Sequence, residues 1–209
     1  MRASNSPDAS RAPRAGLVLA AALLGQACAS VGLPPPGALE RARAAGSYSA
    51  SLRVRLDGPE LRARVQVLVA FRRPDALRIE VPGPSGVRLV AVARDGRLTA
   101  VFPSERAVFQ AEARAAELEA LLGVGLEPAE VMDLLVGVPS PRLRAYRAWW
   151  GAALPTRVEA TLPDGGRLAL NAERPEAGLP LPARAFDEPP HAGYRPVDAA
   201  EARRMWGAR

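Results

Sequence analysis

This chain of 209 residues has one cysteine, one histidine and no lysine, and only 5% of its residues are aromatic. A single cysteine excludes an intramolecular disulfide and a thiolate metal cluster. The single histidine, His191, argues against a histidine-based metal site. The longest apolar run is too short to span a bilayer as a helix. The chain therefore has few of the residues on which metal and redox enzymes depend.

Arginine is abundant instead. All 28 basic residues are arginine, they face 22 acidic residues, and the formal charge is +6. Ile79 is the sole isoleucine and alanine, glycine and proline are frequent, so we attribute the arginines to the codon bias of a GC-rich genome. They are spread along the predicted strands rather than interleaved with aromatics in a patch, which argues against nucleic acid as a partner. The 48% hydrophobic content suffices for one domain with its own core.

The first 27 residues are predicted to be a lipoprotein signal peptide. Three arginines precede an apolar stretch over residues 15–25, and the sequence Leu24-Gly-Gln-Ala-Cys28 ends it. This ending resembles the bacterial lipoprotein signal, in which a lipid is attached to the cysteine and the chain is cut just before it. The alternative is an ordinary signal peptide cut after Ala27 or Ala29.

Cys28 is accordingly the predicted lipidation site. An unpaired thiol is unusual in an oxidising periplasm, and acylation accounts for it. Several acyl chains on one residue would hold the protein firmly in membrane lipid. By analogy with the sorting rule for bacterial lipoproteins, Ala29 favours the outer membrane. We therefore expect a lipid anchor at the periplasmic face of the outer membrane of a Gram-negative bacterium.

The mature chain shows the alternation of an antiparallel sheet. Apolar and polar residues alternate over residues 51–57 and 60–72, which is typical of strands with one buried and one solvent-exposed face. Asp95-Gly96 is a strong hairpin signal. Six strands in antiparallel succession are predicted by residue 110.

Two helices and three further strands are predicted after these six. The helices are expected over residues 112–122 and from Pro128 to Gly137, and the strands over 142–150, 156–162 and 167–172. Residues 175–196 are rich in proline and are expected to wrap the surface. The residues from Asp198 to Glu201 look like a capping box that opens a short terminal helix ending at Trp206.

The expected fold class is α+β, a curved antiparallel sheet with helices inserted on one side. We divide the chain into four segments: the signal peptide (1–27), the acylated cysteine with a proline-rich tether (28–46), the sheet domain (47–174) and a proline-rich tail with a short terminal helix (175–209).

No catalytic site is visible in the sequence, and neither enzymatic activity nor a cofactor or metal is expected. Ser85 lies in a Gly-Pro-Ser-Gly turn that lacks the strand–turn–helix setting of a nucleophile elbow. His191 lies in the tail. What remains is the concave face of the sheet, which either holds an acyl chain or is filled by its own side chains.

The order of the parts resembles the superfamily of periplasmic lipoprotein carriers and receptors, LolA and LolB. Residues 71–80 (FRRPDALRIE) and 82–86 (PGPSG) are similar to its "R-x-E" strand and "G-P-x-G" loop. Residues 134–139 (LLVGVP) are similar to a helix end that reads "L-x-G-x-P" in LolB. Residues 154–162 and 167–170 are similar to the closing "L-P-x-x" hairpin. A related family of outer-membrane lipoproteins fits the same outline about as well.

The resemblance implies an unclosed β-barrel capped by helices, with an apolar cavity that holds lipoprotein acyl chains. A receptor of this kind would take cargo lipoproteins from a periplasmic carrier and insert them in the outer membrane. The candidate cavity walls are Val65, Val67, Val69, Phe71, Ile79 and Leu89. The candidate insertion loop, expected to be mobile, is Pro82, Gly83, Pro84, Ser85 and Gly86.

One departure from the family concerns that loop. In LolB the matching loop carries an exposed leucine that serves insertion, whereas Ser85 stands here, between Val81 and Val87. A second hypothesis of a different class is a structural or assembly lipoprotein of the envelope, with a closed core, that acts through protein contacts. A third, an envelope hydrolase, has no support from the sequence.

Overall fold

The computed structural model describes residues 30–31, 33–84 and 86–206, and in them it has one mixed α+β domain. Its eleven-stranded sheet has the order β1-β8-β9-β10-β2-β3-β4-β5-β6-β7-β11. The strands are β1 (Ser30–Val31), β2 (Ser47–Asp57), β3 (Arg62–Arg72), β4 (Ala76–Gly83), β5 (Gly86–Arg94), β6 (Arg97–Phe102), β7 (Ala107–Glu112), β8 (Ala145–Trp150), β9 (Pro155–Thr161), β10 (Arg167–Ala177) and β11 (Arg195–Pro196).

The helices are α1 (Ala38–Ala44), α2 (Ala115–Leu122), α3 (Pro128–Leu135) and α4 (Ala199–Trp206), with a 3-10 turn at Ala183–Phe186. Neighbouring strands are antiparallel except for β11, which runs parallel to β7. The two edge strands, β1 and β11, do not pair with each other, so the sheet is not closed. None of the helices in the described part of the chain has both the length and the apolar character needed to span a bilayer.

Six antiparallel strands in succession, β2 to β7, confirm the alternation read from the sequence. The inward-facing apolar residues of neighbouring strands stand opposite each other: Leu52 pairs with Val67, and Val69 pairs with Ile79. At the β5–β6 hairpin, Asp95 and Gly96 have φ of 50° and 74°. Two successive positive φ angles are what a two-residue turn with the right twist requires.

Helix α2 ends at the predicted residue but begins three residues later than predicted, and α3 begins at Pro128 as predicted but ends two residues before Gly137. Gly123 closes α2 in the left-handed conformation, and its N–H donates to Glu119 O at 2.9 Å. Pro128 occupies the first turn of α3. Glu130 Oε2 accepts a hydrogen bond from Glu127 N at 2.9 Å, which completes a capping box.

The segment predicted as a tether is attached to the domain. Ser30 and Val31 pair with Trp150 and Trp149 of β8. Helix α1 lies against the core, because Ala38 and Ala42 are almost completely buried. The chain therefore joins the sheet only two residues after Cys28, which itself lies outside the described residues.

The tail, which the sequence predicted only to wrap the surface, crosses the outer face of strands β4 to β7. Phe186 is fully buried, beneath the Arg72 guanidinium. Thr99 and Gln110 both donate to Glu188 Oε1, at 2.7 and 2.9 Å. Strand β10 runs on to Ala177, three residues into the segment assigned to the tail.

Helix α4 starts at the predicted cap, since Asp198 Oδ1 accepts from Glu201 N at 2.7 Å. The reciprocal half of the capping box is replaced by an ion pair, in which Glu201 accepts from Arg195. Trp206, at the end of this helix, is buried in the core.

Candidate ligand cavity

A small apolar cavity lies between the inner face of the sheet and the helices. Its volume is about 90 Å³. Every residue that lines it is apolar: Leu52, Val54, Val65, Val67, Val69, Ile79, Val81, Leu122, Val124, Val131, Leu134, Leu135, Leu168, Leu170 and Trp206. Such a cavity excludes water, because it offers none of the polar partners that a buried water molecule needs.

One side of the cavity is close to solvent. Most of the lining residues are buried, but Val54, Val65, Ile79, Val124 and Val131 are only partly so. The first three lie on β2, β3 and β4, and the other two lie in the connection after α2 and on α3. The entrance therefore lies between these three strands and the α2–α3 segment.

Four of the six predicted wall residues line this cavity: Val65, Val67, Val69 and Ile79. Phe71 and Leu89 do not line it. The ring of Phe71 is instead stacked on Tyr48, with centroids 5.5 Å apart. Leu89 is completely buried in the core, opposite Val81. Alternation identifies the inward face of a strand, but it does not distinguish residues packed by neighbours from those that border a void.

The roof of the cavity was not included in the predicted site. Leu134, Leu135 and Val131 of α3 had a recognisable helical stripe, and Leu122 ends the stripe of α2. Their periodicity marks a buried face without indicating what that face covers. Trp206 carried no such signal, because its place depends on how the tail returns across the domain.

Helix α4 is fixed to the end of α2 by its own side chains. Trp206 Nε1 donates to Leu121 O at 2.8 Å. Arg203 donates from Nε to Ala120 O at 2.6 Å and from Nη2 to Glu119 O at 2.8 Å. These carbonyls belong to the last turn of α2, where carbonyl groups have few partners within the helix; Glu119 O also accepts from Gly123 N. The contacts therefore stabilise α2 and hold Trp206 at the cavity together.

Helix α3 is joined to the end of β3 by Arg73. Its Nη2 donates to Asp133 Oδ1 at 2.6 Å, and its Nε donates to Ala45 O at 3.2 Å. The same guanidinium lies 5.3 Å from the centroid of the Phe71 ring. The cavity is thus bounded by helices that two arginines tie to the rest of the domain.

The cavity is too small to hold an acyl chain as it stands. Sites for small molecules in proteins typically have volumes of about 300–1,000 Å³. Most of the concave face is filled by side chains from α2, α3 and α4, and about 90 Å³ is left. Any long apolar ligand therefore requires the helices to move outwards from the sheet.

The predicted insertion loop is the tip of the β4–β5 hairpin. Pro82 and Gly83 belong to β4 and Gly86 to β5, and Gly83 pairs with Gly86. Pro82, Pro84 and Gly86 are exposed, and Ser85 lies outside the described residues. The strand pairing therefore continues into this segment, as far as Gly83 and Gly86.

The described residues contain no cluster of three or more histidine, cysteine, aspartate or glutamate side chains that could hold a metal ion. His191 lies in the tail on the outer side of the sheet, with Nδ1 2.8 Å from Pro189 O and Nε2 4.0 Å from Glu188 Oε1.

No protein-family model and no curated protein matches this chain. Among solved structures, the chain is similar to a domain from Vibrio parahaemolyticus described as an outer membrane lipoprotein-sorting protein. The two share 9% sequence identity with a TM-score of 0.39, and the match covers 72% of this chain and 94% of that one.

Proposed function

We propose that this chain is a lipid-anchored envelope protein that binds the acyl chains of lipoproteins between its sheet and its helices and assists their localisation to the outer membrane. The observation that carries the proposal is the cavity, because all of its lining residues are apolar and part of its rim is close to solvent. The sequence resemblance to the lipoprotein carriers and receptors points to the same ligand.

Acyl-chain transfer of this kind needs no covalent chemistry. The cargo moves when the cavity of the receptor binds its acyl chains more favourably than the cavity of the carrier does. The absence of polar groups from the lining suits a purely apolar ligand, since a buried polar group without a partner would weaken its binding. The anchor in this proposal is acylated Cys28, and the expected membrane is the outer membrane.

The test is a transfer assay with the full chain. A periplasmic carrier loaded with a lipoprotein is mixed with the protein, and pull-down shows whether the lipoprotein is transferred from the carrier to this protein. Binding of a fluorescent fatty acid is measured in parallel. We expect Val67→Asp and Val131→Asp to abolish both, because each places a charge at the cavity.

The matched control is Val138→Asp, which introduces the same charge at another partly buried valine that packs against the core without lining the cavity. Circular dichroism confirms that each variant is folded. Val131→Asp is the safer variant, because Val131 is only partly buried. Unchanged fatty-acid binding in folded Val67→Asp and Val131→Asp would overturn the cavity assignment.

The small volume favours a second candidate function. A core that is almost filled suits an envelope lipoprotein that acts through protein contacts. In that case the folded chain receives no lipoprotein from the carrier, and crosslinking in the envelope yields a stable protein partner instead.

A further inference from the structure

The outer face of strands β8, β9, β10, β2 and β3 has a dense set of arginines, which we call the arginine face. The inward side chains of these strands alternate with outward ones, and seven of the outward ones are exposed arginines. They are Arg53, Arg55, Arg62, Arg64, Arg147, Arg157 and Arg167. The face curves into an open groove of about 770 Å³.

The arginine face has an excess of positive charge. Three outward carboxylates, Asp57, Glu159 and Glu173, each form an ion pair with one of its arginines. The other four arginines of the face have no ion pair within the described residues. They are Arg62, Arg64, Arg147 and Arg167. The strand register places five residues in one row across the sheet, in the order Arg147, Glu159, Ala169, Arg55 and Arg64.

The rest of the outer face is already covered. The tail crosses β4 to β7, where Arg78 Nη1 donates to Ala185 O and Arg94 forms an ion pair with Asp187. No described segment of the tail covers the arginine face in the same way, since its groove is lined by strand residues alone. Of the two outer halves of the sheet, one is covered by the tail, and no part of the chain that the structure describes covers the other.

The position of β1 indicates what that partner is. Ser30 pairs with Trp150 and Val31 with Trp149, at the edge of the sheet that carries the arginine face. Cys28 precedes Ser30 by two residues, and two residues span at most about 7 Å. An acyl anchor on Cys28 would therefore keep the β8 edge close to the membrane surface.

Trp149 reinforces this placement. It is partly buried on the same face, and the guanidinium carbons of Arg157 and Arg147 lie 4.8 and 5.8 Å from its ring centroid. Tryptophan is enriched where proteins meet the interfacial region of a bilayer, and arginine matches the geometry of phosphate groups.

We propose that the arginine face binds the anionic phospholipid headgroups of the membrane in which the protein is anchored. The face lies flat against the bilayer, with its arginines on the lipid phosphates and Trp149 at the interface. Headgroup binding goes beyond acyl-chain binding. It rests on the proposed anchor at Cys28 in one respect, because the anchor is the reason to choose a lipid rather than an acidic protein as the partner.

The test is co-sedimentation of the full chain with vesicles of phosphatidylcholine, with and without phosphatidylglycerol. The chain carries Cys28→Ser so that no acyl group contributes. The triple variant Arg64→Gln, Arg147→Gln, Arg167→Gln removes three unpaired arginines from the face. We expect it to bind anionic vesicles roughly tenfold to a hundredfold more weakly than the parent chain. Added salt lowers the binding of the parent for the same reason.

The matched control removes the same net charge elsewhere, with Arg43→Gln, Arg97→Gln and Arg184→Gln, three exposed arginines on α1, β6 and the tail. It is expected to bind anionic vesicles within about twofold of the parent. Equal weakening in the two triple variants would overturn the proposal, because net charge rather than this face would then attract the lipid.

Both triple variants are also measured in fatty-acid binding and in transfer from the lipoprotein carrier. If the arginine-face variant binds vesicles normally but no longer receives cargo, the face contacts a protein and the proposal is overturned. Normal fatty-acid binding with weakened vesicle binding supports the proposal. Failure of fatty-acid binding in the parent chain would count against the cavity alone, so the two proposals fail separately.

Discussion

Arg73 and Asp133, 60 residues apart in the chain, form an ion pair in which Arg73 Nη2 lies 2.6 Å from Asp133 Oδ1. Arg73 follows β3 directly, and Asp133 lies on α3, so that the ion pair connects the sheet to a helix over the cavity. Both side chains are partly exposed. A partly exposed ion pair stabilises a fold by less than about 1 kcal/mol, which suits a contact that has to open.

The first prediction concerns this ion pair. Asp133→Asn keeps the shape of the side chain and removes its charge, so that α3 separates from the sheet more readily. We expect fatty-acid uptake to be several-fold faster in stopped-flow fluorescence, with a decrease in the free energy of unfolding of less than about 1 kcal/mol. The control is Asp57→Asn, which removes the Arg55–Asp57 ion pair on the outer face. Equal uptake rates in the two variants would contradict the role of α3.

The second prediction concerns Gly137, which follows α3 and lies close to the Trp150 ring. Its φ is +88°, and a Cβ built there would lie 2.6 Å from the Trp150 ring. Gly137→Ala is expected to lower the free energy of unfolding by about 1–3 kcal/mol, through overpacking and backbone strain together. Urea denaturation measures the change. Gly178→Ala separates the two causes, since Gly178 has a φ of +77° with nothing within 4 Å.

The third prediction follows from the Tyr146 hydroxyl, which is buried and has no hydrogen-bond partner among the described residues. Burial raises the pKa of this phenol to about 12. Tyr146→Phe removes the unsatisfied group, and we expect a gain of about 1 kcal/mol in the free energy of unfolding. A loss of similar size would show that the hydroxyl has a stabilising partner.

The same phenol affects the response to alkali. Its folded pKa lies above the ordinary value of 10.0, so the unfolded chain ionises first. Ionisation of this phenol therefore favours the unfolded chain above pH 10, and the free energy of unfolding falls as the pH rises from 10 to about 12. Stability between these values should therefore fall less steeply in Tyr146→Phe than in the parent chain.

The fourth prediction concerns acid and the attachment of the tail. The hydrogen bond from Thr99, together with that from Gln110 and the charges of His191 and Arg97, lowers the pKa of Glu188 below its ordinary 4.5. A depressed pKa contributes stability above the ordinary value, and this is lost as the pH falls from 4.5 through the folded pKa.

Thermal unfolding measured against pH checks this expectation. Glu188→Gln should be less stable than the parent above pH 4.5, and the difference should shrink in acid. Glu105→Gln, at an exposed turn, serves as the control and should show no such pH dependence. A constant difference across the whole range would show that packing of the tail, rather than the charge of Glu188, holds it in place.

The sequence predicted the elements of the fold better than the contacts between them. Alternation over β2 and β3 is a local property, and so is the capping residue Asp198, which is why strands and helices were found. The strands β1 and β11 have two residues each, too few to show any period. They form because β8 and β7, the strands with which they pair, are already in place.

The site was predictable from the strands but not from the helices. The inward valines of β3 follow from alternation, whereas the volume that they border is set by how far α3 and α4 approach the sheet. Trp206 is held by a hydrogen bond to a carbonyl 85 residues away in the chain. Such long-range packing leaves no periodic mark in the sequence.

The two shortest strands also cover part of the two edges of the sheet. An open sheet has two edges whose free N–H and C=O groups can pair with another copy of the chain, and this is a common route to aggregation. Here β1 lies along part of β8, and β11 lies along part of β7. A two-residue strand thus covers part of each edge of the sheet, which leaves less free backbone for another copy of the chain to pair with.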